Sequence, residues 1–298
     1  MGVRANTVHT IYRRFAILMS TRLSSMCCQF IAGLLCIVAA VPLTADEATQ
    51  TKRLLLIGQG PDNHKPTTHE YMAGMQVVAH LLQDVDGLQT IITKADEPWT
   101  DGPELLDGTD GVVLFVSQGA KWLSADAARL AAFERLAKRG GGLTVLHWGM
   151  GTRDAEDITV FVNLFGGCHG GPDRKYKFLM TTAMVADKEH PITNGLTDIT
   201  VDEEFYYRLK FPKPPAEITP LITARIDDRN ETVSWVWQRP DGGRAFGFTG
   251  LHFHDNWKHE TYRRLIKQGI LWTLKHPVPA GGADVTVEAS VLELEQRE

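Results

Sequence analysis

Four stretches of the sequence combine side chains able to hold a metal ion or move a proton. His64, with His69 and Glu70, follows the apolar run Arg53–Gln59, and His147 closes the run Leu143–Leu146. His252-Phe253-His254 follows Arg244–Thr249, and Asp202-Glu203-Glu204 leads into Phe205-Tyr206-Tyr207. Neutral imidazole is a common metal ligand, and histidine titrates closest to neutral pH. Residues two apart in an extended segment share a face, which lets His252 and His254 grip one ion. Carboxylates beside tyrosines offer a general base and a hydrogen-bond donor.

Each stretch also has an ordinary structural explanation. Thr67-x-x-Glu70 has the spacing of a capping box, in which the glutamate returns to the cap residue's amide. Three consecutive acids read as a solvated loop, and a histidine at a strand end can simply satisfy a carbonyl. Cys168, between Gly167 and His169, invites a Cys–His nucleophile. No strand-to-helix turn presents that thiol, however, and it reads better as a partly buried loop cysteine.

The elements that must position these groups alternate. Arg53–Gln59 is a buried strand that empties into Gly60–Pro66, a loop by its turn residues. Met72, Met75, Ala79 and Leu82 recur at helical spacing and predict a helix starting near Thr67 or Thr68. Leu88–Thr93 and Gly111–Val116 read as further strands. Ser124–Arg139 reads as a helix stopped by Gly140, and Leu143–Leu146 as a strand buried on both faces. A helix over Ala155–Leu164 follows, then strands near Phe178–Val185, Thr219–Ala224, Val233–Gln238 and Arg244–Thr249. Pro240-Asp241-Gly242-Gly243 joins the last two as a hairpin, and Lys258–Lys275 closes the pattern as an amphipathic helix. These predict one α/β domain with a flavodoxin-like, doubly wound, mostly parallel sheet and an added antiparallel segment. In such sheets ligands bind past the carboxyl ends of the strands, where three of the four stretches fall.

Residues 1–45 contain no acidic residue, carry Arg4, Arg13, Arg14 and Arg22, and run apolar from Phe30 to Val41 before Pro42-Leu43-Thr44-Ala45. That pattern predicts a signal peptide and export to the periplasm or medium, and the apolar run is short for a membrane span. Residues 46–276 form the predicted domain, and 277–298 a linker and acidic tail. Cleavage removes three of the four cysteines and leaves Cys168, so no intramolecular disulfide is expected. It also removes four arginines, leaving 27 basic against 36 acidic residues, a formal charge of −9. No basic stripe remains, which argues against nucleic acid and an anionic membrane as partners.

From about Lys52 to His276 the chain resembles the ThuA-like (trehalose-utilisation) family, whose fold is like that of class I glutamine amidotransferases. The residues that carry the resemblance are His64 and His69-Glu70 after the first strand, and Gly140-Gly141-Gly142 leading to His147. His190-Pro191-Ile192-Thr193-Asn194-Gly195, Glu204-Phe205-Tyr206-Tyr207, Gly243-Arg244-Ala245-Phe246 leading to His252, and Gly269-Ile270-Leu271-Trp272 complete it in order. The resemblance implies a role in carbohydrate metabolism, often of keto-sugars or disaccharides. The amidotransferase relatives place a cysteine nucleophile at the turn where this chain has His147-Trp148-Gly149, so glutaminase chemistry is not expected. Some family members carry a glutamate where this chain has Gly151, which puts that loop's role here in doubt.

The resulting expectation is an exported enzyme acting on a sugar or keto-sugar by elimination, hydrolysis or isomerisation. Glu204 serves as base, with His147 and Tyr206 as further catalytic groups. Trp148 and Trp257 stack on the sugar, with Tyr207 and Glu70 as polar contacts. His64, His69, His252 and His254 hold one divalent ion (zinc, manganese or nickel), and no nucleotide cofactor is expected. Two rivals remain open, a non-catalytic sugar-binding module and a Cys168-dependent hydrolase.

Overall fold

Leu54–Ile57, Val112–Leu114 and Leu143–Leu146 carry no exposed residue, and they form the centre of a nine-stranded sheet. The computed structural model describes residues 51–213 and 218–294. The chain divides into two units, Met1–Asp46 and Glu47–Glu298, and every element below lies in the second. The predicted signal peptide lies outside the described residues.

The strands β1 (Lys52–Gly58), β2 (Leu88–Lys94), β3 (Gly111–Leu114) and β4 (Gly142–Leu146) alternate with helices α1 (Tyr71–Leu82), α2 (Gly102–Asp107), α3 (Gly119–Ser124) and α4 (Ala127–Lys138). Then come α5 (Asp157–Phe165), β5 (Lys175–Val185), β6 (Ile199–Tyr207), β7 (Ile218–Ile226), β8 (Arg229–Gln238), β9 (Arg244–Phe248) and α6 (Glu260–Thr273). The strand order is β2-β1-β3-β4-β9-β8-β7-β5-β6. The first five are mutually parallel in the flavodoxin-like order, with α1 and α6 packed together on one face and α2 to α5 on the other.

The expectation of a mostly parallel sheet is corrected. The pairings β9–β8, β8–β7, β7–β5 and β5–β6 are all antiparallel, half of the eight, and they include the four longest strands, β5 to β8. The cause is local. β7 turns into β8 through Asp227 and Asp228 at φ 48° and 62°, and β8 into β9 through Arg239–Gly243; turns this tight admit only antiparallel partners.

Two helix boundaries also differ from the sequence reading. α1 starts at Tyr71 because Thr67 and His69 lie at φ 74° and 53°, outside the helical region. The predicted helix over Ser124–Arg139 starts later, as α4 at Ala127, with the Asp126 carboxylate accepting the Arg129 amide at 2.8 Å as an N-cap; Ser124 instead ends α3. After α6 the chain turns back over it. Gln268 accepts the Ala283 amide at 2.6 Å, Arg263 donates to the Val285 carbonyl at 2.9 Å, and Val285 joins the core.

Candidate metal centre

Three loops leaving the carboxyl ends of β1, β4 and β9 each deliver one histidine. The first and third are stitched together: the His69 amide donates to the His252 carbonyl at 3.0 Å, and the His254 amide to the Thr67 carbonyl at 2.8 Å. The middle loop turns sharply at His147, φ 43°, into a short 3-10 turn, His147–Met150. A Cβ on Gly149 would fall 2.6 Å from the Leu114 carbonyl oxygen, so only glycine lets this turn sit so close to β3. Leu251, beside His252, lies at φ 81°. Thus Thr67, His69, His147 and Leu251 all hold a backbone conformation that L-residues avoid, and all four frame one site.

The antiparallel part of the sheet supplies the fourth ligand atom. Alternation along β6 sends Glu204 and Tyr206 to one face and Glu203, Phe205 and Tyr207 to the other. Glu203 is fully buried and accepts the amides of Leu251 (2.7 Å), His252 (3.1 Å) and Glu204 (2.9 Å), and the Asn256 side chain (2.9 Å). It fixes the His252 loop to β6.

His69, His147, His252 and Glu204 are all buried, and their ligand atoms lie within 4.8 Å of one another. His69 Nε2 is 3.0 Å from both His147 Nε2 and His252 Nδ1; Glu204 Oε2 is 2.7 Å from His252 Nδ1 and 3.5 Å from His147 Nε2. Zinc–ligand bonds of about 2.0–2.1 Å set tetrahedral ligand atoms roughly 3.3 Å apart, so the set fits such an ion. The outer nitrogens strengthen the case. His69 Nδ1–H donates to Asp62 at 3.0 Å, and His147 Nδ1–H to the Thr249 carbonyl at 2.7 Å. Neither acceptor can donate, so in the neutral rings both Nε2 atoms present lone pairs to each other. Carboxylate- and carbonyl-anchored imidazoles are the usual second layer of a metal site.

Charges point the same way. Burial lowers the His69 pKa to about 3 and lowers that of His147, so neither ring takes a proton to relieve the contact. Burial pushes the Glu204 carboxyl up, but the adjoining His147 and His252 rings outweigh it and hold the group well below its usual range. Asp62 is likewise held low, against its burial, by His69, Tyr71 and the His64 amide. Two ionised carboxylates thus flank lone pairs in a buried space, an arrangement that a cation balances.

A family model described as "Trehalose utilisation" matches residues 60–273. The chain belongs to the ThuA family. Among solved structures it is similar to a ThuA-like protein from Bacteroides uniformis, with TM-score 0.57 and 17% identity over 75% of this chain and 91% of that one. A ThuA-like protein from Parabacteroides merdae gives TM-score 0.56 and 16% identity over 76% and 90%. At these identities the likeness establishes the α/β fold alone. No curated protein matches the chain.

In this ThuA fold the predicted residues separate. His69, His147, His252 and Glu204 converge, with the Tyr206 hydroxyl 3.0 Å from His147 Nε2. His64 stands at the rim, exposed, its Nδ1 2.7 Å from Asp62, and belongs to a second group with Asp62 and His69. His254 is turned elsewhere: the chain enters a 3-10 turn at His254 rather than staying extended, so the expected alternation with His252 fails. Tyr207 faces away and donates to Asp227 at 2.7 Å. Trp257 is buried in the core against Gly74 of α1. Glu70 accepts the Thr67 amide at 2.9 Å, the contact its capping-box spacing predicts. Trp148 lies near Tyr206 and His169, with ring centroids 5.7 Å from each. A side chain at Gly151 would collide with the Trp148 ring at 1.9 Å, so this chain places tryptophan where a residue there would otherwise project. The Cys168 thiol is buried, donates to the Met150 carbonyl at 3.3 Å, and is pushed up by burial, which makes it a poor nucleophile.

Four further residues matter that the sequence reading passed over as site residues: Asp62, Tyr71, Glu203 and His169. Asp62 precedes His64 by two residues and orients His69; Tyr71 donates to Asp62 at 2.7 Å. His169 stacks on Tyr206 at 3.9 Å and 7°.

Proposed function

We propose that the chain is a metal-dependent enzyme of sugar metabolism, working on a sugar or keto-sugar after export. One observation carries the reading: the Nε2 atoms of His69 and His147 lie 3.0 Å apart in a buried set with His252 and the Glu204 carboxylate. His69, His147 and His252 would hold the ion, with Glu204 completing the set or turning to the substrate. A divalent ion, when bound, supplies Lewis acidity that eases negative charge on an adjacent sugar oxygen.

The chain's own groups do the rest. Glu204 is ionised at neutral pH and is the group placed to accept a proton from a carbon or hydroxyl beside the cluster. Burial raises the Tyr206 pKa, so its hydroxyl stays protonated and can donate to a sugar oxygen. Asp62 and the Thr249 carbonyl keep His69 and His147 in the tautomers that expose Nε2. Family membership supports carbohydrate as the substrate class.

The test is turnover on trehalose, other disaccharides and their keto derivatives, with wild type and Glu204→Gln. Turnover in wild type and loss of at least about 100-fold in the variant would support the assignment of Glu204 as base. An unchanged rate in Glu204→Gln would remove it. Tight sugar binding without product, in chain loaded with metal, would favour the non-catalytic binding module.

A further inference from the structure

Among the described residues, three large hydrophobic side chains are exposed: Tyr176, Phe178 and Met180, at 54%, 52% and 66%. They occupy alternate positions of β5 and therefore share one face of it. The β5–β6 register sets Tyr176 opposite Tyr206, Phe178 opposite Glu204 and Met180 opposite Asp202. Directly opposed residues point to the same side of an antiparallel pair, so the exposed row runs alongside the two β6 residues of the candidate centre. Phe178 meets His252 edge-on, with centroids 5.0 Å apart at 84°, and lies 6.2 Å from Phe253. Scattered apolar side chains on a surface need no explanation, whereas a contiguous row marks an interaction surface, and this one adjoins a buried polar site.

We propose that Tyr176, Phe178 and Met180 form a platform for the part of a glycoside that lies beyond the reacting ring. The inference rests on the reading of the cluster as a sugar site and assigns it a second subsite. From Tyr176 to Met180 the row runs roughly 13 Å, longer than one pyranose ring. Polar groups flank it on the same face: Asp202 opposite Met180, then Thr182 and Thr200 with hydroxyls 3.2 Å apart. Aromatic faces edged by hydrogen-bonding groups suit a ring with an apolar face and a polar rim. A second copy of this chain seated on the row would instead cover Phe178 where it packs on His252. A glycoside uses the row and the cluster together, and the contact between Phe178 and His252 favours it.

The experiment is calorimetric titration of the full chain with trehalose, maltose, sucrose, cellobiose and 4-nitrophenyl glucoside, with glucose as single-ring control. Phe178→Ala and Tyr176→Ala are titrated in parallel, and sedimentation velocity gives the mass of each. The platform predicts at least one two-ring ligand binding about tenfold tighter than glucose. It also predicts that Phe178→Ala removes most of that preference while glucose affinity and mass stay unchanged. Both positions are exposed, so the substitutions leave the core intact. A two-ring preference that survives both substitutions, or its absence in wild type, overturns the platform alone. A mass that falls in Phe178→Ala with sugar affinity unchanged assigns the row to self-association and also overturns it. If none of the sugars binds wild type, the sugar reading of the cluster falls and the platform with it.

Discussion

The two halves of the sheet contribute to the candidate centre in opposite ways. The parallel half, β1 to β4 with β9, supplies His69, His147 and His252 from loops whose backbones are strained at His69, His147 and Leu251. The antiparallel half supplies Glu204 and Tyr206 from regular strand, by alternation alone. The adjacent carboxylates Glu203 and Glu204 show what this means. Glu203, turned inward, holds three backbone amides and is pushed up to about 7 by burial. Glu204, turned outward by one residue, meets imidazoles and is held low. One residue of strand register separates a structural clamp from a member of the candidate centre.

Substitutions on the two sides should break the comparison in different ways. Glu203→Gln turns one acceptor oxygen into a donor facing buried N–H groups and should cost roughly 2–5 kcal/mol in urea unfolding. Its pH signature is distinct. The folded-state pKa of Glu203 is raised from 4.5 to about 7, so its contribution is fully present below about pH 4.5 and declines as pH rises to about 7. The variant should lack that part of the slope; an identical slope would contradict the assignment. Asp62→Asn should leave the fold standing and weaken metal affinity about 10- to 100-fold, by loosening His69. Unchanged affinity would remove Asp62 from the site.

The strand alternation is tested by neighbouring tyrosines. Tyr206→Phe should lower turnover about tenfold or more. Tyr207→Phe should leave turnover alone and cost about 0.5–1.5 kcal/mol through its bond to Asp227. Equal effects on turnover would mean that the two faces are not separate. A last change sharpens the acid side. Burial lowers the His169 pKa from 6.5 to about 3, so its stabilising contribution is present above about pH 6.5 and is lost as pH falls toward 3. His169→Phe keeps a ring on Tyr206 and should flatten the loss of stability between about pH 6.5 and 3.

The same contrast explains what could be read from sequence. The parallel strands are near-continuous apolar runs, so their ends, and His69, His147 and His252 beyond them, are legible. β6 is not, because Asp202-Glu203-Glu204 looks solvated until the loop at Gly250–His252 is known to bury Glu203. Asp62 reads as a turn residue, since its partner His69 is set by a left-handed backbone that composition does not announce. His254 fails for a related reason: Leu251 at φ 81° and the turn at His254 undo the extended geometry that His-x-His assumes. Tyr207 and Trp257 are aromatic and near the motifs, but strand parity and core packing send them elsewhere.

The most direct test of the central claim is the metal content of the tag-free chain by inductively coupled plasma mass spectrometry, beside His69→Ala, His147→Ala and His252→Ala. The account predicts close to one divalent ion per chain, lost in all three variants, although the residues come from three separate loops. No bound ion after exposure to zinc, manganese and nickel, or an ion that survives all three substitutions, would contradict it.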